Sequence, residues 1–230
     1  MQIVYIRHAE SHNNYMYYLN GNNEGRMIDP PLSEMGEKQA VELANFLEEN
    51  KEDFKFDRIL ISPFLRTLQT AAAFTHLYPE TPKTVWAPLH EGGGCFEIIS
   101  EEPRVSQGHP GMNRSEIKSL YPEYEISDEI TDEGWYFLPA VEPHSHRFYR
   151  AYHVVEELIK QYGETEERIA IVSHGGFHNH LTNAVMGRTR QHNLWLEIEN
   201  TAMSEFRFRY DRISEYHKGW WRIEFMNRHE

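Results

Sequence analysis

The spacing of apolar positions changes period several times along the chain, and each change predicts an element. Residues 2–6 form a β-branched and aromatic run that suits a buried strand, ending in the polar stretch 7–14. The segment 21–25 is glycine- and asparagine-rich and reads as a loop. Ser33 then stands where an N-cap belongs. Ala40, Leu43, Ala44 and Leu47 follow at helical spacing, which predicts a helix over 34–49. Residues 56–61 read as a second strand, and Ser62-Pro63 opens a helix through Leu65, Leu68, Ala72 and Leu77. Residues 84–87 predict a third strand.

From 91 to 143 the period is lost. Gly92-Gly93-Gly94, several prolines and many acids describe a loop-rich insertion with one short helix near 114–120. Regularity returns with a helix over about 146–162, carrying Phe148, Tyr152, Val155, Leu158 and Ile159 on one side. Residues 168–172 form an apolar strand that runs into Ser173-His174-Gly175-Gly176, and a helix continues to about Met186. Residues 201–210 and 220–225 read as two antiparallel strands. Strands alternating with helices imply one α/β domain over 1–230, a three-layer αβα arrangement around a mostly parallel open sheet. The C-terminal edge is antiparallel, and a cap insertion spans about 92–143. Ligands of such sheets sit beyond the carboxyl ends of the strands. Arg7-His8 and Ser173-His174 both lie at such ends.

Composition narrows the function. With 40% hydrophobic and 13% aromatic residues among 230, the chain is long and apolar enough for an ordinary core. Cys95 is the only cysteine, which excludes an internal disulfide and a four-cysteine zinc site. No signal-like segment or spanning apolar run of about eighteen residues is evident, so the cytoplasm is expected. The 23 basic and 36 acidic residues leave a net charge of −13, which argues against nucleic acid or a membrane surface as partner. A phosphate ligand would therefore need a local cluster of arginines.

The residues supply one. Arg7-His8-Ala9-Glu10-Ser11, with Asn14, resembles the opening signature of the histidine phosphatase superfamily, the phosphoglycerate mutase-like family. Asp29, Pro31, Leu32, Ser33 and Gly36 resemble its next block, and Ser62-Pro63, Leu65-Arg66-Thr67 and Gln69-Thr70-Ala71 its third. Leu89 and Glu91 resemble the segment with its acid, and Val172-Ser173-His174-Gly175-Gly176 matches its second histidine. Five blocks in family order are far more specific than any one of them.

The resemblance implies a phosphomonoester hydrolase acting through a phosphohistidine on a small-molecule phosphate ester. His8 would be the nucleophile, Glu91 the proton donor, and His174 a donor to the phosphoryl oxygens; Arg7, Asn14 and Arg66 would bind phosphate. The chemistry fits those residue types. A neutral imidazole attacks phosphorus near pH 7, and guanidinium forks meet phosphate oxygens bidentately. No cofactor and no metal is needed. His174, His178 and His180 lack the glutamate of a zinc-binding helix motif. Ala9 replaces the family's usual glycine, and Glu97 and Glu10 stand as backups for the acid.

Arg26, Arg104, Arg114, Arg188 and His192 lie in loops within reach of a mouth, although surface charge is the ordinary role for each. The aromatic groups 15–18 and 220–221 read as core or interface packing. A phosphoglycerate mutase-type transfer is the alternative, disfavoured because no arginine run follows Glu91. A non-catalytic phospho-ligand binding module is the other, disfavoured because no catalytic group is missing.

Overall fold

The computed structural model describes residues 1–22, 24–188, 194–210 and 219–229. In chain order the elements are β1 (Gln2–Arg7), α1 (His12–Asn20), α2 (Glu34–Glu49), β2 (Arg58–Ile61), α3 (Leu65–Thr75) and β3 (Lys83–Val85). They continue with β4 (Phe96–Glu101), β5 (Arg104–Gly108), α4 (Arg114–Leu120), β6 (Glu125–Ile126), α5 (His144–Tyr162), β7 (Arg168–Ser173), α6 (Gly175–Val185), β8 (Met203–Tyr210) and β9 (Gly219–Arg228).

Seven strands form one sheet in the order β6-β3-β2-β7-β1-β8-β9. The pairs from β6 to β1 are parallel, while β8 and β9 add antiparallel pairs at the other edge. Strand β1 explains its own sequence. Val4 and Ile6 enter one hydrophobic layer with α2 and α3, Ile3 and Tyr5 enter another with α5 and α6, and all four are fully buried. A strand covered on both faces reads as a continuous apolar run. The two layers give the expected αβα stack.

The segment that loses its period in sequence holds the β4–β5 hairpin, the short helix α4 and the two-residue strand β6. Beyond the hairpin the chain returns to the main body. Ile117, Tyr124, Ile130 and Trp135 are buried in the α2–α3 layer, and β6 pairs with β3.

The aromatic residues of α1 do not enter the core, which corrects the core half of the expectation for 15–18. Tyr17 and Tyr18 are 59% and 84% exposed, and the helix buries no residue. It is held by its ends, with Ser11 and Asn14 forming a reciprocal cap and Gly21 closing the last turn at φ 67°. Trp221 does pack, against Phe208 at 5.1 Å between ring centres, whereas Trp220 is half exposed. Among the described residues, no helix is long and apolar enough to cross a membrane.

Candidate active site

Three adjacent parallel strands deliver the floor of the site. Strand β7 lies between β2 and β1, with Ile61 opposite Val172 and Arg7 opposite Ser173. Just past these ends the chain turns out of the sheet, so Ser62, His174 and His8 emerge side by side. The amides of His8 and Ser62 still bond back to Ser173 and Val172, at 2.9 and 3.0 Å. The first turn of α3 then brings Arg66 over them. That helix lacks a cap from its own first residue; Asp29 Oδ1 accepts the Leu65 amide at 3.0 Å instead.

One guanidinium joins the two histidines. Arg66 Nε donates to His8 Nε2 at 3.1 Å, and Nη2 donates to His174 Nδ1 at 3.0 Å. The other ring nitrogens complete the assignment. His8 Nδ1 lies 2.7 Å from the Ala9 carbonyl, which only accepts, so the proton sits on Nδ1 and the lone pair on Nε2. His174 Nε2 lies 2.7 Å from Ser62 Oγ, an atom able to accept or donate. Burial holds both imidazoles well below their usual range, reinforced by Arg66 beside each. Both are therefore neutral at pH 7, and His8 directs a lone pair into the site. Burial also lowers Arg66, to about 10, which leaves it cationic at neutral pH.

Arg7 and Glu91 form the wall. Arg7 Nη1 donates to the Ile198 carbonyl at 2.5 Å, while its Nε is buried without a partner. Glu91 caps α6: Oε1 accepts the Phe177 and Gly92 amides at 2.8 and 2.6 Å, and Oε2 accepts Gly176 at 3.2 Å. The glycines 175–176 are there for space. A Cβ at Gly176 would lie 2.5 Å from Glu91 Oε1, and one at Gly175 would lie 3.3 Å from Arg7 Nε. Arg7 and Glu91 share the wall of a mouth cavity of about 470 Å³.

Behind the wall stands a buried pair that sequence reasoning missed. Arg150 meets both carboxylate oxygens of Glu142, at 2.9 and 2.7 Å. It also donates to the carbonyls of Pro88 and His90 at 2.8 Å each, and to that of Glu91 at 3.4 Å. Burial alone would raise the Glu142 carboxyl, but the Arg150 bonds outweigh it and hold the group below its usual range. The pair thus fixes the backbone that presents Glu91. Nothing local in the sequence announces it, because its members matter through carbonyls some sixty residues away.

Of the residues singled out from sequence, Arg7, His8, Arg66, His174 and Glu91 stand around one site. Asn14 is held differently: its Oδ1 accepts from Ser11 N and Oγ at 3.1 and 2.8 Å, and it shares a small recess with Arg26. Glu10 accepts from Ser33 Oγ at 2.5 Å, and Glu97 pairs with His109 at 3.1 Å on the hairpin, so neither backup acid shares the wall with Arg7. Ala9 is not at positive φ, and its buried methyl packs with Leu32 and Ala40. The glycine of related signatures is therefore dispensable here. Arg26 and Arg104 line the mouth. Arg114 instead binds the Ile130 and Ser127 carbonyls, Arg188 is not in the lining, and His192 lies outside the described residues. His178 bonds Ser204 Oγ at 3.0 Å, and His180 packs against His144 with ring centres 5.5 Å apart.

Comparison with known proteins gives a consistent result. The model of the histidine phosphatase superfamily (branch 1) matches residues 3–220. A 6-phosphofructo-2-kinase/fructose-2,6-bisphosphatase of Caenorhabditis elegans is 31% identical over 173 residues, which is 75% of this chain and 31% of that one. The chain thus spans about a third of the length of that relative. Among solved structures, a mycobacterial glucosyl-3-phosphoglycerate phosphatase aligns with a TM-score of 0.61 at 19% identity, covering 98% of each chain. A phosphoserine phosphatase of Entamoeba histolytica aligns at 0.60 and 20%, covering 98% of this chain and 96% of that one. These likenesses extend to the fold.

Proposed function

Because the chain belongs to the histidine phosphatase superfamily, we propose that it is a phosphomonoester hydrolase working through a phosphohistidine on His8. The observation that carries this reading is the His8 tautomer. Its proton is committed to the Ala9 carbonyl, so Nε2 offers a lone pair at the point where Arg66 converges with His174.

A bound phosphoryl group would draw the Arg66 guanidinium and the unpartnered Arg7 Nε onto its oxygens, freeing Nε2 to attack phosphorus in line. The P–N bond forms as the ester P–O bond breaks, and Glu91 protonates the departing oxygen. Water entering through the mouth then attacks the phosphohistidine while Glu91 takes its proton; His8 and inorganic phosphate are released. Nδ1 of His174 accepts from Arg66, so for His174 to donate to the phosphoryl oxygens its proton must shift from Nε2 to Nδ1 as Arg66 turns to the phosphate. Ser62 Oγ permits this, since a hydroxyl can donate to Nε2 as readily as accept from it. Asn14, which shares a recess with Arg26, is the remaining candidate for an amide donor to the phosphate. The expected ligand is a small phosphate ester, with no part for nucleic acid or a membrane.

Hydrolysis is preferred over mutase transfer because the mouth is open to water, rimmed by Arg104 and by Trp195, which is 73% exposed. Acid-quenched enzyme should retain acid-labile label from a ³²P-phosphate ester, and His8→Ala should retain none. Equal labelling of the two proteins would remove His8 as nucleophile. Isomerisation of 3-phosphoglycerate without phosphate release would replace hydrolysis by transfer.

A further inference from the structure

Beside the mouth lies a larger cleft that the phosphoryl chemistry leaves unused. It measures about 1000 Å³ and runs between the loop 24–29 and strand β4. One wall presents Met27 and Ile28, the other Phe96, Ile98 and Ile99. Met27 and Ile99 remain 45% and 55% exposed, and Ile28 and Ile98 are half-buried. The cleft therefore holds apolar sides open to water, and an apolar body that displaces this water is bound favourably. A space of this size accommodates a whole small ligand.

The cleft meets the reaction centre at Arg26 and Phe96, which line both spaces. Arg26 lies over the Phe96 ring, 5.0 Å from its centre. Burial lowers the Arg26 guanidinium, and the Glu91 carboxylate close by opposes that shift. The group placed to protonate the departing oxygen thus stands near the junction. An alcohol that takes its proton from Glu91 leaves on the side where the cleft begins.

Charge sets the character of the occupant. Among the described residues, the lining carries Glu24, Asp29, Glu97 and Glu101 against Arg26 alone. Glu97 is matched by His109 at 3.1 Å, whereas Asp29 Oδ2 is buried without a partner. An anionic group would be repelled there, and an uncharged chain would not.

Resting on the phosphatase reading for the reacting end, we propose that this cleft receives the alcohol portion of the substrate, and that this portion is an uncharged apolar chain or ring. Arg7 and Arg66 hold the phosphoryl group, Arg26 stacked on Phe96 marks the junction, and Met27, Ile98 and Ile99 take up the hydrocarbon.

The test compares ethyl, hexyl and 5-carboxypentyl phosphate, whose primary alkoxides leave with similar difficulty, so that differences in kcat/KM report contacts of the chain. The wild type should favour hexyl over ethyl phosphate about tenfold, as expected when the added methylenes leave water only in part. The carboxylate ester should gain nothing over ethyl phosphate. Met27→Gln and Ile98→Thr place polar groups on opposite walls and should each lower the hexyl-to-ethyl ratio about threefold. The ratio cancels any general loss of activity. A wild-type ratio near one, a carboxylate ester preferred to hexyl phosphate, or a ratio unchanged in both variants overturns the proposal. A second measurement needs no turnover: calorimetric binding of hexylphosphonate and of methylphosphonate to His8→Ala, with and without the two wall substitutions. Tighter binding of hexylphosphonate that the substitutions weaken supports the cleft even if no ester is hydrolysed, in which case only the phosphatase reading falls. Equal binding of the two phosphonates overturns the cleft's role.

Discussion

A methyl group added at Gly176 would begin 2.5 Å from Glu91 Oε1 and 3.1 Å from its carboxyl carbon. One of the two must move, and the side chain is the softer. Gly176→Ala therefore drives Glu91 off the first turn of α6 and into the open cavity, where water takes it up. The stability terms nearly offset. Alanine is the better helix former by about 0.5–1 kcal/mol, while loss of a capping side chain costs about 1 kcal/mol. The melting temperature should move by only a few degrees for a chain of this size. Activity should not be spared. A displaced general acid costs about 10²- to 10⁴-fold, but only where the leaving oxygen needs a proton. An alkyl phosphate should suffer that loss, and 4-nitrophenyl phosphate, whose phenolate leaves unaided, should suffer far less. Steady-state kcat on both substrates, with Glu91→Gln as control, reads the difference. Equal losses on the two substrates, or none, would refute the placement of Glu91 as proton donor.

Other consequences can be checked directly. Arg66→Lys replaces a planar bridge between two imidazoles by a point charge and should lower kcat about 10²- to 10³-fold; a fall under fivefold would show that the bridge is unimportant. Arg150→Met leaves the Glu142 carboxylate buried without its cation and should cost about 3–5 kcal/mol in denaturant titration, much of it restored by adding Glu142→Leu. No recovery in the double variant would contradict that account. His8, His90 and His174 are all depressed by burial, His90 to about 3, so the unfolded chain protonates first as the pH falls. The stability they contribute is present above about pH 6.5 and is lost as acid is added, by about 2 kcal/mol for His90 alone between pH 7 and 5. Asp29, pushed up to about 6 by burial, gains a proton on folding in the same window and offsets about 1 kcal/mol of that loss. A denaturation midpoint that does not change from pH 7 to 5 would refute the assignment of buried neutral imidazoles.

What could be read from the chain alone followed from burial. Helix α2 lies at its expected residues because Ser33 caps it and Ala40, Leu43, Ala44 and Leu47 face one core. Strands β1 and β7 were legible because both of their faces are covered. Helix α1 was not, since it buries nothing and so carries no apolar period. Strand β6 escaped for another reason: two residues are too few to show any period, and its place depends on pairing with β3. In the site, Arg7, His8 and His174 were visible as polar residues directly after apolar strands. The Asp29 contact to α3, the Ser62 bond to His174 and the Arg150–Glu142 brace depend on distance in space, which spacing along the chain does not encode.

The position of β7 has a consequence for how the molecule is made. Strands β1 and β2 are separate in the finished sheet, and the strand joining them comes more than a hundred residues after β2 begins. During synthesis the first two strands therefore have no parallel partner in common, and each leaves an edge exposed. His8 and Arg66 are translated early, but the histidine that completes their arrangement arrives with the strand that closes the gap. The contacts that define the centre join residues 58 and 108 apart in sequence, so their formation belongs to the slow, non-local stage of folding. Recovery of activity after dilution from denaturant thus marks the moment the middle of the sheet is filled, later than the appearance of helix.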